Sequence, residues 1–289
     1  APAAAALVLL APSPGVVLAA SVAPPPLAAA AANASTGDVA GTLARLQALP
    51  RNRRIRALRE LLQVDESAGG LSGGLSTFAY KTGLVSLFRS PRWADAAIFE
   101  VGSHRGHITS ILSLLFGLVF AEEISFDMAF ETSRPHRLGR LRNVAYLTLD
   151  GSQPYGLSAL AANRQLRAAV IDGAHDRKHV FLDTYRVLHD IPCCVEVIVY
   201  HDYCDQVVFE TVQEFVQVGV LSFREGLGES PGKFWWCKDG RPEGGVFDVL
   251  RSDPVNFRKS LVGLYSMFRG TTDLLGATEH LNGTTWWLQ

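Results

Sequence analysis

Short apolar runs alternate with helical patterns through the middle of this 289-residue chain. Each run is four to six residues long, is bounded by polar residues or glycine, and predicts a β-strand. The predicted strands are Ala97–Val101, Leu118–Ala121, Val144–Leu149, Ala168–Ile171 and Val195–Tyr200. The intervals carry apolar residues at helical spacing. Strands alternating with helices are typical of a parallel sheet covered on both faces, so the pattern predicts an α/β fold with a doubly wound sheet.

Helical patterns also precede the sheet, and an aromatic run follows it. Between residues 38 and 64 the spacing predicts two amphipathic helices broken at Pro50, followed by a Gly/Ser-rich hinge at Glu66–Thr77. Later in the chain, Phe234–Trp236 predicts a late antiparallel strand. The chain is thus divided into an Ala/Pro-rich segment 1–37, a helical N-terminal extension with the hinge at 38–74, a main domain at 75–240 and a C-terminal extension of unassigned role at 241–289.

The second predicted helix carries five arginines between Arg51 and Arg59. Such a row of arginines could bind the phosphates of RNA. A net charge of −1, however, gives the chain no overall field that attracts nucleic acid or an anionic membrane. A solvated helix face is therefore favoured, nucleic acid is not an expected partner, and any charged partner has to be met by a local patch.

The first segment, 1–37, contains no charged residue. Pro12–Gly15 interrupt its apolar run, which is then too short for a stable transmembrane span. The composition predicts the remnant of a targeting sequence, for the secretory pathway or an organelle, or a disordered linker. Two N-glycosylation sequons, at Asn33 and Asn282, would be usable in a secretory lumen.

The chain has four cysteines: Cys193, Cys194, Cys204 and Cys237. None of them is in the C-x-x-C spacing of a structural zinc site. Buried free thiols are favoured over a disulfide, so cysteine usage does not assign a compartment.

Polar side chains follow every predicted strand. Because ligands of parallel sheets bind in the crevice outside the carboxyl ends of the strands, these residues are candidates for a site. They are Glu100-Val101-Gly102-Ser103-His104-Arg105-Gly106, Glu122-Glu123, Asp150-Gly151-Ser152-Gln153, Asp172-Gly173-Ala174-His175 and His201-Asp202-Tyr203. The two glycines of the first group permit a tight turn and a close helix start, but they lack the G-x-G-x-x-G spacing of a dinucleotide site.

Four of these motifs together carry a resemblance that covers about Phe78 to Trp236. FEVGSHRGHIT, DGSQ, IDGAHDRKHV and VIVYHDY resemble the motifs of class I S-adenosylmethionine-dependent methyltransferases. Within this family, the motifs most resemble those of catechol O-methyltransferase-like enzymes and of sugar and macrolide O-methyltransferases. The resemblance implies a Rossmann-like sheet, mostly parallel with a late antiparallel strand.

The resemblance also implies a cofactor site for S-adenosylmethionine. Backbone of the glycine turn would hold the methionine part, Glu123 would bind the ribose, and the turn after the third strand would edge the adenine. The implied cofactor-binding residues are Glu100, Gly102, Ser103, Gly106, Glu123, Gly151, Ser152 and Gln153.

In metal-dependent members of that family, carboxylates after the fourth and fifth strands hold a divalent ion that orients the acceptor. Asp172 and Asp202 match these positions, and His201 stands where a second acid is common. The implied ion is magnesium, or manganese or zinc given the imidazole. His175 would take the proton of the reacting hydroxyl, with Asp172 as the second catalytic residue. The alternative for His175 is a structural histidine that hydrogen-bonds a loop.

The predicted function is metal-assisted O-methylation of a small hydroxylated acceptor. The principal alternative is a methyltransferase-fold protein without activity that serves as a subunit of a larger assembly, with protein partners or a second copy of itself. The His104-Arg105 pair in the cofactor turn, His201 and the two long extensions favour this alternative. The presence of functional residue types at four motif positions opposes this alternative, since a protein without activity would be expected to lose some of them. These residues are Glu123, Asp172, His175 and Asp202. A third hypothesis is an RNA methyltransferase that uses the arginine-rich helix.

Overall fold

A seven-stranded sheet forms the centre of the protein. The computed structural model describes residues 39–65, 76–125, 127, 141–148, 166–191, 194–228, 237–238 and 240–279. The strands are β1 (Ala97–Val101), β2 (Leu118–Glu123), β3 (Val144–Thr148), β4 (Leu166–Ile171), β5 (Val197–Tyr200), β6 (Leu221–Leu227) and β7 (Gly244–Val249). The described helices are α1 (Val39–Gln47), α2 (Arg51–Asp65), α3 (Phe78–Leu87), α4 (His107–Leu115), α5 (Arg177–Asp190), α6 (Gln206–Gln217) and α7 (Pro254–Glu279), with one 3₁₀ turn at Pro91–Trp93.

The strands lie in the order β3-β2-β1-β4-β5-β7-β6. Strands β1 to β5 pair in parallel, and β7 is antiparallel to both of its neighbours. Strand β1 lies inside the sheet, and β2 and β3 are added on one side of it. The chain then crosses to the other side of β1, where β4 and β5 follow. This return places a topological switch point between β1 and β4, where their carboxyl ends open a crevice. The predicted doubly wound, mostly parallel sheet with an antiparallel strand is confirmed.

The ends of the strands differ from the sequence prediction by a few residues. Strand β2 continues through Glu122 and Glu123, which were predicted to follow it. The antiparallel strand is β7, within the segment 241–289; Phe234–Trp236 lie outside the described residues. Strand β6 was missed because the four residues in its middle are exposed and include Arg224 and Glu225, so it lacks the apolar run of a buried strand.

Helices cover both faces of the sheet because the strands are apolar on both sides. In β1, Ile98 packs into the layer with α1, α2, α3 and α4, whereas its neighbour Phe99 packs into the layer with α5, α6 and α7. In the second layer, Phe181 of α5 stacks on Phe268 of α7 with ring centroids 3.9 Å apart. The helices of the N-terminal and C-terminal extensions thus form part of the two cores. All described residues belong to the unit Ala34–Gln289.

Two of the five arginines of α2 are structural, in contrast to the predicted solvated face. Arg51 donates hydrogen bonds to the carbonyl oxygens of Phe88 (2.9 Å), Ser90 (3.1 Å) and Leu115. Arg54 donates to the carbonyls of the turn that precedes α2. Burial lowers the pKa of both guanidinium groups. The remaining arginines of this helix, Arg53, Arg56 and Arg59, are exposed.

Among the described residues, none of the helices combines the length and the apolar composition that crossing a membrane requires.

The prediction that Cys204 and Cys237 are free thiols was wrong. They form a disulfide with Cα atoms 4.7 Å apart. Two backbone contacts bring the cysteines together: Asp205 and Cys237 form a β-bridge, and the Lys238 N–H donates to the Cys204 carbonyl (3.1 Å). The two cysteines are 33 residues apart in the chain, and no local sequence pattern predicts that they lie close together.

Removing this disulfide should lower the free energy of unfolding by about 3 to 4 kcal/mol, because the unfolded chain loses a loop constraint of this size. The comparison is urea denaturation of the wild type against the double variant Cys204→Ala/Cys237→Ala. The double variant with and without reductant is the control, since it reports what the other cysteines contribute. A loss below about 1 kcal/mol would show that the bond adds little constraint.

Candidate functional site

A cleft of about 350 Å³ lies at the carboxyl ends of β1, β2, β4 and β5, at the switch point of the sheet. Its volume is within the range of small-molecule sites. The predicted site residues in its wall are Glu100, Gly102, Ser103, Glu123, Asp172, His175, His201 and Asp202. Gly106 lies in the same turn as Gly102, whereas Gly151, Ser152 and Gln153 are outside the described residues.

The turn after β1 can be built only with glycine at its first position. Gly102 has a φ of +80°, and a Cβ there would lie 2.1 Å from the carbonyl oxygen of Asp172. Gly106 also has a left-handed φ, +76°, and its N–H donates to the Ser103 carbonyl (2.7 Å) before α4 begins. The backbone therefore passes close to the end of β4 and leaves the cleft open above it.

Glu123 holds this turn from the neighbouring strand. Its Oε2 accepts a hydrogen bond from the His104 N–H (2.8 Å), and its Oε1 accepts one from the Ser125 N–H (3.1 Å). Each carboxylate oxygen can accept more than one hydrogen bond. Glu123 can therefore fix the turn and still accept from a ligand in the cleft.

Two buried polar atoms in the cleft wall have no protein partner among the described residues. Glu100 is 1% exposed and its Oε2 accepts no hydrogen bond; the Ser103 hydroxyl is 4% exposed and is likewise unpartnered. Burial raises the pKa of Glu100 to about 8, and the negative charge of Asp172 acts in the same direction. Hydrogen bonding by Thr109 lowers this pKa but does not offset the effect of burial. Because buried polar groups are normally hydrogen-bonded, this pair indicates a ligand that supplies the missing partners.

The loops after β4 and β5 bring two histidines and two aspartates together. His175 Nε2 lies 3.0 Å from Asp202 Oδ2. His201 Nδ1 lies 2.8 Å from the same oxygen and 2.9 Å from Asp172 Oδ1. Asp202 has a φ of +48°, a backbone conformation that is uncommon outside glycine and that is frequent at functional sites. One aspartate thus connects both histidines.

These contacts shift the pKa values in opposite directions. Burial acts to raise the pKa of Asp202, but hydrogen bonds from His175 and His201 outweigh it and hold the pKa far below the usual range. Burial acts to lower the pKa of both histidines, and the neighbouring carboxylates raise it instead, most strongly for the buried His201. The ionised Asp202 carboxylate therefore faces two imidazoles whose protonated form is favoured.

The histidine that groups with the two aspartates as a potential metal ligand is His175. Ligand atoms of Asp172, His175 and Asp202 all lie within 4.8 Å of one another. His201, the predicted third ligand, already uses both ring nitrogens: Nδ1 on the aspartates, and Nε2 on Glu243 Oε1 at 3.1 Å. Two carboxylates and one imidazole fit a divalent ion such as manganese, iron or zinc better than magnesium.

Glu243 was missed by the sequence analysis. It lies directly before β7, is fully buried, and contacts His201 and Thr77. In sequence it stands in Arg-Pro-Glu-Gly-Gly, a pattern typical of an exposed turn. No local signal distinguishes it from a surface glutamate, since its burial depends on where β7 inserts in the sheet.

Neither a protein-family model nor a curated protein matches the sequence. The chain is similar to the solved structure of Aeropyrum pernix fibrillarin in complex with natively bound S-adenosyl-L-methionine, at 12% identity and a TM-score of 0.41, over 55% of this chain and 69% of that one. It is similar to an rRNA methylase from Streptococcus thermophilus, at 14% identity and a TM-score of 0.38, over 54% of this chain and 87% of that one.

A third similar structure is phosphoethanolamine N-methyltransferase 1 of Haemonchus contortus in complex with phosphoethanolamine and S-adenosylhomocysteine. The identity is 7% and the TM-score 0.44, over 78% of this chain and 56% of that one. Since all three TM-scores are below 0.5, the fold assignment rests on the strand order and strand directions of this chain itself.

Proposed function

We propose that this protein is an S-adenosylmethionine-dependent methyltransferase that acts on a hydroxyl group of a small acceptor. The observation that carries the proposal is the wall of the cleft at the switch point. There, a glycine turn passes beside two buried polar atoms, Glu100 Oε2 and the Ser103 hydroxyl, that have no protein partner among the described residues. S-adenosylmethionine has an amino-acid end and a sulfonium but no phosphate, which agrees with a turn that lacks a phosphate-binding glycine pattern and with an acidic wall.

In this proposal the cofactor lies along the turn from Gly102 to Gly106. Glu100 pairs with its ammonium group, Ser103 hydrogen-bonds its amino-acid end, and Glu123 accepts from the ribose hydroxyls. Gly151, Ser152 and Gln153 edge the adenine. When bound, the cofactor supplies an activated methyl group; the protein's part is to hold it in line with the acceptor oxygen.

His175 is the proposed general base. Its Nε2 is oriented by Asp202, so that Nδ1 is the ring nitrogen left to take the proton of the acceptor hydroxyl. Its ring is exposed to the cleft, and an ionised Asp202 stabilises the imidazolium that results. The proton thus moves from the acceptor oxygen to His175 as the methyl group is transferred.

Metal assistance is the alternative role of the same residues. Asp172, His175 and Asp202 would hold a divalent ion, which would polarise the acceptor hydroxyl and lower its pKa. His175 would then be a ligand rather than the base. A requirement of turnover for manganese or zinc separates the two roles.

The disulfide Cys204–Cys237 supports a location in an oxidising compartment, in line with a targeting role for residues 1–37. An RNA substrate is less favoured, because Arg51 and Arg54 of the arginine-rich helix are engaged with backbone carbonyls of the protein.

Calorimetric titration should show micromolar binding of S-adenosylmethionine and S-adenosylhomocysteine, accompanied by release of a proton at pH 7. Glu100, with a pKa of about 8, is mostly protonated in the free protein at this pH, and pairing with the ligand's ammonium lowers that pKa. Titration in buffers of different ionisation enthalpy measures the release. Glu100→Gln should bind more weakly and lose the released proton.

The titration is repeated with magnesium, manganese and zinc to test the metal alternative. Absence of binding under every condition would overturn the proposal and favour the inactive subunit of a larger assembly. Binding without proton release would leave the cofactor in place and remove the role assigned to Glu100.

A further inference from the structure

We infer that Glu243 is a positioning residue that fixes the orientation of His201 and, through it, the placement of Asp172 and Asp202 in the cleft. The inference rests on the proposed function, because it concerns the groups proposed to bind and activate the acceptor. Glu243 belongs to the connection that leads into β7, outside the motifs at the ends of β1 to β5.

Glu243 is held from two sides. Its Oε1 accepts hydrogen bonds from the Thr77 N–H (2.8 Å) and from His201 Nε2 (3.1 Å), and its Oε2 accepts one from the Thr77 hydroxyl. Its backbone carbonyl also accepts from the Tyr203 N–H (2.7 Å), next to Asp202 in the loop after β5. A fully buried carboxyl group is costly, and the contacts with Thr77 and His201 stabilise this one.

His201 connects Glu243 to both aspartates. Its Nδ1 lies between Asp172 Oδ1 (2.9 Å) and Asp202 Oδ2 (2.8 Å), while Nε2 faces Glu243 on the opposite edge of the ring. Both edges of the His201 ring are thus paired with carboxyl groups. Without Glu243, a buried ring nitrogen would be left unpaired, and the ring would no longer be fixed at both edges.

Tyr80 and two glycines pack closely around Glu243 and His201. The ring of Tyr80 packs edge-on against His201 with centroids 4.7 Å apart. A Cβ on Gly244 would lie 2.3 Å from the Tyr80 ring, and a Cβ on Gly228 would lie 3.0 Å from Glu243 Oε2. Glycines at both ends of the β6–β7 connection thus allow α3, Glu243 and His201 to pack closely.

One oxygen of Asp202 contacts both histidines. Asp202 Oδ2 lies 2.8 Å from His201 Nδ1 and 3.0 Å from His175 Nε2. If His201 turns, Asp202 loses one of these two partners, and the carboxylate that orients His175 is held less firmly. A residue that does not line the cleft thereby controls groups that do.

The test compares Glu243→Gln with Thr184→Val. Thr184 is fully buried in the layer of α5, where its hydroxyl bonds Tyr200 (2.9 Å), so its variant loses a buried hydrogen bond between two residues that do not line the cleft. We expect Glu243→Gln to lower kcat at least tenfold with the affinity for S-adenosylmethionine within twofold of wild type. Thr184→Val should lower stability and leave kcat unchanged.

A spectroscopic measurement makes the test independent of turnover. In protein labelled with ¹⁵N-histidine, the ring nitrogen signals of His201 should be the same in the wild type and in Thr184→Val. In Glu243→Gln the Nε2 signal of His201 should shift, because the group that faces this nitrogen has changed. An unchanged Nε2 signal in Glu243→Gln would overturn the inference even if the protein is an active methyltransferase.

The wild-type spectrum alone also decides the matter should Glu243→Gln fail to fold. An Nε2 signal of His201 with the shift and solvent exchange of the exposed His189 would overturn the inference, because Glu243 would then not be bonded to Nε2. Failure of the proposed function is recognised separately, as a protein with the expected His201 signals that binds no S-adenosylmethionine.

Discussion

Replacing His175 with glutamine should lower kcat of methyl transfer by about 100- to 10,000-fold, the usual contribution of a general base. Glutamine keeps the size and polarity of the side chain but cannot take the proton of the acceptor hydroxyl. Affinity for S-adenosylmethionine should stay within twofold, because the cofactor is assigned to Glu100, Ser103 and Glu123. Initial rates and calorimetry on the same preparation measure the two effects.

His189→Gln is the matched control. His189 also pairs with an aspartate, with Nδ1 2.9 Å from Asp190 Oδ1, but it is exposed at the end of α5 and does not line the cleft. It should retain full activity. A kcat for His175→Gln within threefold of wild type would show that His175 is a structural histidine.

The pH profile distinguishes a base from a metal ligand. Burial acts to lower the pKa of His175, but its hydrogen bond to Asp202 and the charge of Asp202 outweigh this effect, so the pKa lies above its ordinary value of 6.5. A base must be unprotonated, so kcat/KM of the wild type should rise with pH through that raised pKa. In His175→Gln this limb should disappear. If His175 is a ligand instead, activity should fall together with metal affinity.

Gly102→Ala should abolish binding of S-adenosylmethionine and destabilise the protein far more than alanine at another left-handed glycine. A Cβ at this position would lie 2.1 Å from the Asp172 carbonyl oxygen, and this oxygen belongs to the backbone and cannot move aside alone. Either the turn or the end of β4 has to shift, which changes the cofactor site and the aspartate cluster together. Denaturant titration and calorimetry measure the two effects.

Gly219→Ala isolates the cost of backbone conformation. Gly219 has a φ of +73°, close to that of Gly102, but a Cβ there would have no neighbour within 4 Å among the described residues. This variant should lose only about 1 to 2 kcal/mol, the cost of a left-handed non-glycine residue, and should bind the cofactor normally. Equal effects of the two substitutions would mean that close approach to Asp172 is unimportant.

Much of the fold follows from local pattern. The apolar runs of β1, β4 and β5 are buried on both faces, so their hydrophobicity alone marks them as central strands. The edge strand β6 has an exposed middle with two charged residues, and β7 begins with two glycines. These two strands depend on pairing with their neighbours, and no local pattern identifies them.

For the site, too, the sequence pattern predicts some features and not others. Residues at the carboxyl ends of buried parallel strands, such as Glu100, Asp172 and Asp202, had to meet at one edge of the sheet, and eight of the predicted residues line one cleft. The roles within the cluster were not readable from spacing. Which histidine groups with the aspartates depends on side-chain directions, and these place His175 beside the ligand atoms and bury His201 against Glu243.

The sequence by itself determined the parallel strands and the polar residues at their carboxyl ends, because strand burial and strand ends are encoded in neighbouring residues. Only the tertiary structure decided the strand order with its switch point, that Glu243 supports His201, that Cys204 bonds Cys237, and that Arg51 holds distant carbonyls. Each of these contacts joins residues far apart in the chain. Their energies depend on packing and on exclusion of water, which no local pattern records.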